Sequence, residues 1–185
     1  YPWFPEPTVI PATTTPPPTP IPTPTPTPTP QPQPPARIAI PNIAVNSTIH
    51  QIGVHSDGDP FNPDVTWTEL GAGVGHDRDS VNPGESGNVV LLGHNNTAGQ
   101  VFRRLRELEK GDEIYVYTLD KKFSYVVQEI DIVRATGATE QDKRAHAFYL
   151  GPKPDETLTL VSCWPYSTYT HRVYVVARPI GITDE

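Results

Sequence analysis

Residues Thr157–Ile180 read TLTLVSCWPYSTYTHRVYVVARPI, two alternating runs separated by a proline and a polar connection. In TLTLVSC, Leu158 and Leu160 fall on one face of a period-2 pattern while Thr159, Val161 and Cys163 fall on the other. The thiol is therefore expected to point away from the leucine core. Pro165 stops that strand, STYTH connects, and RVYVVARPI alternates again as a second strand. Paired as a hairpin, the two strands put Cys163, the only cysteine in the chain, on one edge with Arg172. A guanidinium beside a thiol favours the thiolate, the nucleophilic form, so the pair points to a reactive cysteine. A buried inert cysteine is the commoner fate of a lone one. The leucines on the opposite face, and a histidine in an equally pointed setting, argue against it here.

Outward from this stretch, composition bounds the rest. Of the first 35 residues, 16 are proline, which leaves about 150 of the 185 residues for one domain with a single core. The net charge of −7 argues against a nucleic-acid surface, which needs a basic stripe that no segment supplies. One cysteine allows no internal disulfide, so cysteine pairing says nothing of the compartment. No apolar run approaches the roughly 18 to 20 residues of a membrane span, and no signal peptide is visible. The chain begins at Tyr1 and contains no methionine, as expected of a trimmed or processed product whose membrane anchor lies upstream.

The chain divides into residues 1–36, a disordered Pro/Thr-rich stalk, and residues 37–185, the folded domain. From Pro11 to Pro35 the Thr-Pro repeats carry too little apolar surface to fold and favour polyproline II. Extended, they reach on the order of 75 Å. Their composition also resembles O-glycosylated spacers. In the domain, residues 37–40 and 44–52 read as two strands broken at Pro41-Asn42. Residues 53–87 read as mostly loop around a short piece at Val65 to Leu70. A continuous apolar strand, Val89 to Leu92, then ends in Gly93-His94. QVFRRLRELEKGDE predicts the one clear helix, with Val101, Leu105 and Leu108 at i, i+4 and i+7 and Gly111 as its stop. EIYVYTLD and KKFSYVVQEIDIV form a hairpin pair through Asp120. ATGATEQDKRAHAFYLGPKPDE is a long connection with a short helical turn near Asp142 to Phe148. Seven or eight short strands with one or two short helices make a mainly β fold, a closed or nearly closed barrel.

Among six histidines only His94 combines a preceding buried strand with a following polar loop. His50 lies in a strand, and His55, His76, His146 and His171 are read as solvated loop residues. No metal site is expected: no two histidines sit at i, i+4, and neither HExxH nor CxxC occurs. GAGVGHDRD neither follows a clear strand nor opens a helix, so a phosphate-cradling loop is excluded. A Cys-His-Arg site remains.

At this point the residues resemble a known family. Ile40-Pro41-Asn42-Ile43-Ala44-Val45, Gly73 to His76, NPGESGNVVLLGHN (Asn82 to Asn95), FRRLRELEKGDEI and TLTLVSCWPYSTYTHRVYVVA are together similar to a sortase, from about Arg37 to Ile180. The motifs come in the right order and with the right gaps. The resemblance implies an eight-stranded sortase-type β-barrel on the bacterial surface, at the outer face of the cell membrane or the cell wall. It implies His94, Cys163 and Arg172 as catalytic residues, and Ser162, Trp164 and Asn95 as substrate-binding ones. Ser162 stands where the commonest motif, TLxTC, has threonine; the subclass stays open, with D-, E- and F-like forms as candidates. Trp164 either shapes a substrate groove or caps the barrel.

The implied chemistry is acyl transfer without a cofactor or metal. Cys163 would attack the threonine carbonyl of a Pro-x-Thr-type signal on a secreted protein with a C-terminal LPxTG-like sorting sequence. His94 would protonate the departing amine and deprotonate the incoming one, an amine of the cell wall or a pilin lysine. Arg172 would hold the substrate backbone and the oxyanion. Two rivals stand beside this reading: a cysteine peptidase with water as acceptor, and a non-catalytic surface β-barrel adhesin. Ile10-Pro11-Ala12-Thr13 loosely resembles the Pro-x-Thr core, although chance in a Pro/Thr tract is the plainer explanation.

Overall fold

The structure, a computed structural model, describes residues 32–53 and 70–184. Most of the expected stalk, the Ile10 to Thr13 signal-like segment, His55 and the strand piece at residues 65–69 lie outside the described residues. The described chain forms eight strands: β1 (Arg37–Ile40), β2 (Val45–Ile52), β3 (Val74–Asp77), β4 (Asn88–Gly93), β5 (Glu113–Tyr117), β6 (Lys121–Arg134), β7 (Thr157–Trp164) and β8 (His171–Asp184). They close into a barrel in the order β1-β2-β3-β4-β7-β8-β6-β5, with β5 pairing back onto β1. Only the β2–β3 and β4–β7 pairs are parallel. The mainly β, barrel-like fold read from the strand count is the fold observed.

Alternation fills the barrel. Val89 and Leu91 of β4, Ile114 and Val116 of β5, Leu158 and Leu160 of β7, and Val173 and Val175 of β8 all point into one buried cluster. The opposite faces of β4, β7 and β8 are covered as well. Val90, Leu92, Val161 and Tyr174 form a second cluster with Ile52, Leu70, Val133 and Tyr149. This is why the Val-Val-Leu-Leu run is continuously apolar: both faces of β4 are buried. Cys163 does face away from the leucines, as its alternation predicts, but toward this second cluster rather than toward open solvent.

The second cluster is roofed by α1 (Glu140–Leu150). The sequence reading gave this segment only a helical turn and placed the clear helix at residues 101–108, and the structure reverses the two. Thr139 caps α1: its hydroxyl oxygen accepts from the Asp142 N–H at 3.2 Å, while the Asp142 carboxylate accepts from the Thr139 N–H at 2.8 Å. Residues 101–108 instead wind as turns ending in a 3-10 turn at Leu105–Glu107. Their hydrogen bonds run from i to i−3, as in Arg103 N to Gln100 O at 2.9 Å and Leu105 N to Phe102 O at 3.1 Å. Phe102, Leu105 and Leu108 are the buried residues, spaced by threes, which suits three residues per turn and not 3.6.

Two histidines expected in solvated loops are buried. His76 lies in β3, which the loop reading of residues 53–87 missed, and is 1% exposed among Gln51, Ser80 and Val81. His146 of α1 is also 1% exposed. Its Nε2–H donates to Arg134 O at 2.8 Å, which leaves Nδ1 to accept from the Tyr174 hydroxyl at 2.7 Å. Burial holds both imidazoles below the ordinary histidine pKa. His146 belongs to the roof of the second cluster, whereas His76 shares the face of Val74 and Leu91, which belong to the first.

Candidate active site

The site is built where the ladder of β4 and β7 runs out. Their parallel register extends from Asn88↔Thr157 to Leu92↔Val161. Continued by two residues, it brings His94 level with Cys163. Cys163 in turn pairs with Arg172 across the antiparallel β7–β8 seam. Neighbouring strands lie about 4.8 Å apart, so Cys163 and Arg172 are adjacent across the β7–β8 seam, and His94 directly follows the end of β4 on the other side of β7. Arg172 shares the alternation of Tyr174, which places it on the same face as Cys163.

Hydrogen bonds from side chains continue the seam beyond the backbone ladder. Ser162 Oγ donates to Gly93 O at 2.7 Å, and Asn95 Nδ2 donates to Cys163 O at 2.8 Å. Asn96 Nδ2 donates to Tyr166 O at 3.0 Å and also contacts the Tyr169 hydroxyl. The His94 carbonyl accepts from Phe102 N–H at 2.9 Å, and the Phe102 ring packs so close to Gly93 that a Cβ there would meet it at 2.5 Å. On the other side, the Arg172 guanidinium donates to Tyr169 O at 3.2 Å and His171 O at 3.3 Å. Both flanks of the site are thus tied to the β7–β8 connection.

The Sortase domain family pattern matches residues 38–180. The chain belongs to the sortase family. Sortase D of Bacillus subtilis is 37% identical over 99 residues, 54% of this chain and 44% of that protein. Sortase SrtE1 of Streptomyces coelicolor is 33% identical over 104 residues, 52% of this chain and 27% of that protein. The matched parts therefore span less than half the length of these curated relatives. Among solved structures, sortase C-1 from Actinomyces oris superposes with a TM-score of 0.63 at 29% identity, covering 79% of this chain and 73% of its own.

Within this sortase, the environment of the cysteine corrects the sequence reading on one point. Cys163 is half-buried and not disulfide-bonded. Burial pushes its thiol pKa up, and the nearby Arg172 charge only partly offsets that. The cation was expected to favour a resting thiolate. Desolvation wins instead, so the resting group is the neutral thiol. The sequence shows the arginine but not the depth of the sulfur.

The residues expected to bind substrate fall into two kinds. Ser162 is 0% and Asn95 3% exposed, and Ser162 Oγ and Asn95 Nδ2 make the seam bonds just described. Trp164 is half-buried and packs against the barrel core. What sequence reasoning missed is Asn96 and the exposed Tyr166 and Tyr169, which join the loop after His94 to the β7–β8 connection. The doubled asparagine after His94 was the available signal, since two adjacent amides can satisfy carbonyls on two different residues of a neighbouring strand. Among the described residues no group of three or more His, Cys, Asp or Glu is placed to hold a metal ion.

Proposed function

We propose that this sortase is a cysteine transpeptidase that cleaves a Pro-x-Thr-type sorting signal after threonine and passes the acyl group to an amine. The single observation that carries the proposal is the pairing of Cys163 with Arg172 across β7 and β8, with His94 lying between Gly93 and Asn95, both hydrogen-bonded to β7. Cys163 is the nucleophile. Because its resting form is the neutral thiol, the proton must leave as the sulfur attacks, and His94 beside it is the acceptor. The tetrahedral oxyanion then collapses to a thioester, with the His94 proton going to the departing amine. An incoming amine gives its proton back to His94 as it attacks the thioester, which restores the thiol. Arg172, held by two carbonyls of the β7–β8 connection, is placed to meet the substrate backbone and the oxyanion. A preorganised charge of this kind contributes about 3 kcal/mol to the transition state.

Residues 37–185 serve as the catalytic domain and residues 1–36 as a Pro/Thr-rich spacer that carries it outward from a bacterial cell surface. No helix among the described residues is long and apolar enough to cross a membrane. The substrates are secreted proteins with LPxTG-like C-terminal signals, and the acceptor is a cell-wall amine or a pilin lysine. The test is product partition: the protein is incubated with a Pro-x-Thr peptide, with and without an added amine. Transpeptidation predicts a threonyl-amine product that grows with amine concentration and vanishes in Cys163→Ala. A hydrolysed product unaffected by amine would turn the reading into that of a peptidase.

A further inference from the structure

We propose that Asn95 and Ser162 are positioning residues that set the distance between His94 and Cys163, an inference that rests on the transpeptidase reading above. The backbone register of β4 with β7 ends at Leu92↔Val161, short of the reactive pair. From there on side chains take over, and they do so in opposite directions. From β7, Ser162 Oγ grips Gly93 O, the carbonyl immediately before His94, at 2.7 Å. From the β4 end, Asn95 Nδ2 grips the carbonyl of Cys163 itself at 2.8 Å. Each strand thereby holds the backbone next to the other strand's reactive residue.

The Ser162 bond is buried and the Asn95 bond partly so, with the two donor side chains 0% and 3% exposed. Losing either donor leaves a carbonyl of the seam without its partner, and with no backbone ladder between the strands there the seam is expected to loosen. The His94 carbonyl is tied from behind by Phe102 N–H at 2.9 Å, so His94 sits between two grips while Cys163 is held through its own carbonyl. A surface contact to substrate would need exposed amide or hydroxyl groups, and neither residue has one. The geometry is that of a clamp, closed where catalysis is most sensitive to fractions of an ångström.

The test reads Cys163 alkylation by iodoacetamide near neutral pH in the full chain, comparing wild type, His94→Ala, Asn95→Ala and the double variant. In wild type His94 accelerates alkylation by taking the thiol proton. Asn95→Ala is expected to slow it roughly 10- to 100-fold, as misplacement of a reacting pair does, with His94→Ala then adding little more. Ser162→Ala should behave like Asn95→Ala, whereas Ser162→Thr keeps a hydroxyl and the wild-type rate. With a signal peptide as substrate, Asn95→Ala should lower kcat and leave KM unchanged. If His94→Ala keeps its full effect in the Asn95→Ala background, the clamp idea is wrong while the catalytic reading stands. If His94→Ala has no effect on alkylation even in the otherwise intact chain, the reading of His94 falls and the clamp falls with it. Should Asn95→Ala fail to fold by circular dichroism, the Ser162→Ala and Ser162→Thr pair decides the matter through the other bond.

Discussion

The two ends of the β4–β7 seam are built alike and serve different ends. At the Asn88 end, the Asn88 amide donates to Tyr149 O at 2.9 Å and Gly151 O at 3.0 Å, and its Oδ1 accepts from Thr159 Oγ1 at 2.7 Å. At the His94 end, Ser162 and Asn95 make equally short bonds to Gly93 O and Cys163 O. Both ends use buried amides and hydroxyls, but only at the His94 end do they carry the seam beyond its backbone ladder, since Asn88 and Thr159 lie within it. The Asn88 end joins only groups that do no chemistry, and it fastens the C-terminal end of α1 to the barrel wall. The His94 end surrounds a titratable pair and leaves Cys163 half-exposed at the rim. The same hydrogen-bonded carpentry is scaffold at one end and site at the other, and the difference is what it leaves reactive.

The largest effects are expected at the His94 end. Arg172→Ala should lower kcat for transfer by about 100- to 1,000-fold, as loss of an oxyanion donor does, with little change in folding midpoint. The same variant should move the pH profile of Cys163 alkylation further upward, because Arg172 is the group that draws the already raised thiol pKa down. A downward shift would show that the arginine does not act on the sulfur. At the Asn88 end the signature should be inverted. Asn88→Ala leaves buried carbonyls and a hydroxyl unpaired and should cost about 2–4 kcal/mol in urea unfolding, with kcat per folded molecule unchanged. A loss of kcat without loss of stability would mean that the two ends are not separable.

Acid sharpens the same contrast. His76 and His146 are held neutral by burial, so below about pH 6.5 the unfolded chain binds more protons than the folded one. Stability should therefore be fully present above that pH and should fall as pH drops below it, with urea midpoints at pH 7.5 and 5.5 as the measurement. Replacing His146 by glutamine should flatten this dependence. The smallest effect expected is at the cap of α1, where Thr139→Ala should cost about 1 kcal/mol and leave alkylation of Cys163 untouched.

How far the sequence reaches differs by element. The β7–β8 pair was legible because strict alternation and Pro165 define both strands, and with them the opposition of Cys163 and Arg172. The parallel pairing of β4 with β7 has no local signature, since sixty-odd residues separate them, and the seam bonds of Asn95 and Ser162 have none either. The helix went astray because Val101, Leu105 and Leu108 fit a 3.6 period on paper, while burial of Phe102 selects the threefold one. The Thr139-Glu140-Gln141-Asp142 capping box that marks the start of α1 was in plain view. β3 escaped because four residues with a glycine carry no alternation, and its partners on both sides make it a strand. The sign of the Cys163 shift depends on depth, which only the fold supplies.

The most direct test of the central claim is the intact mass of the domain after brief incubation with a Pro-x-Thr signal peptide. The account predicts an acyl adduct on Cys163 that hydroxylamine removes, that forms more slowly in His94→Ala and that is absent in Cys163→Ala. A wild-type mass that stays unchanged with every such peptide, or an adduct that persists in Cys163→Ala, would contradict it.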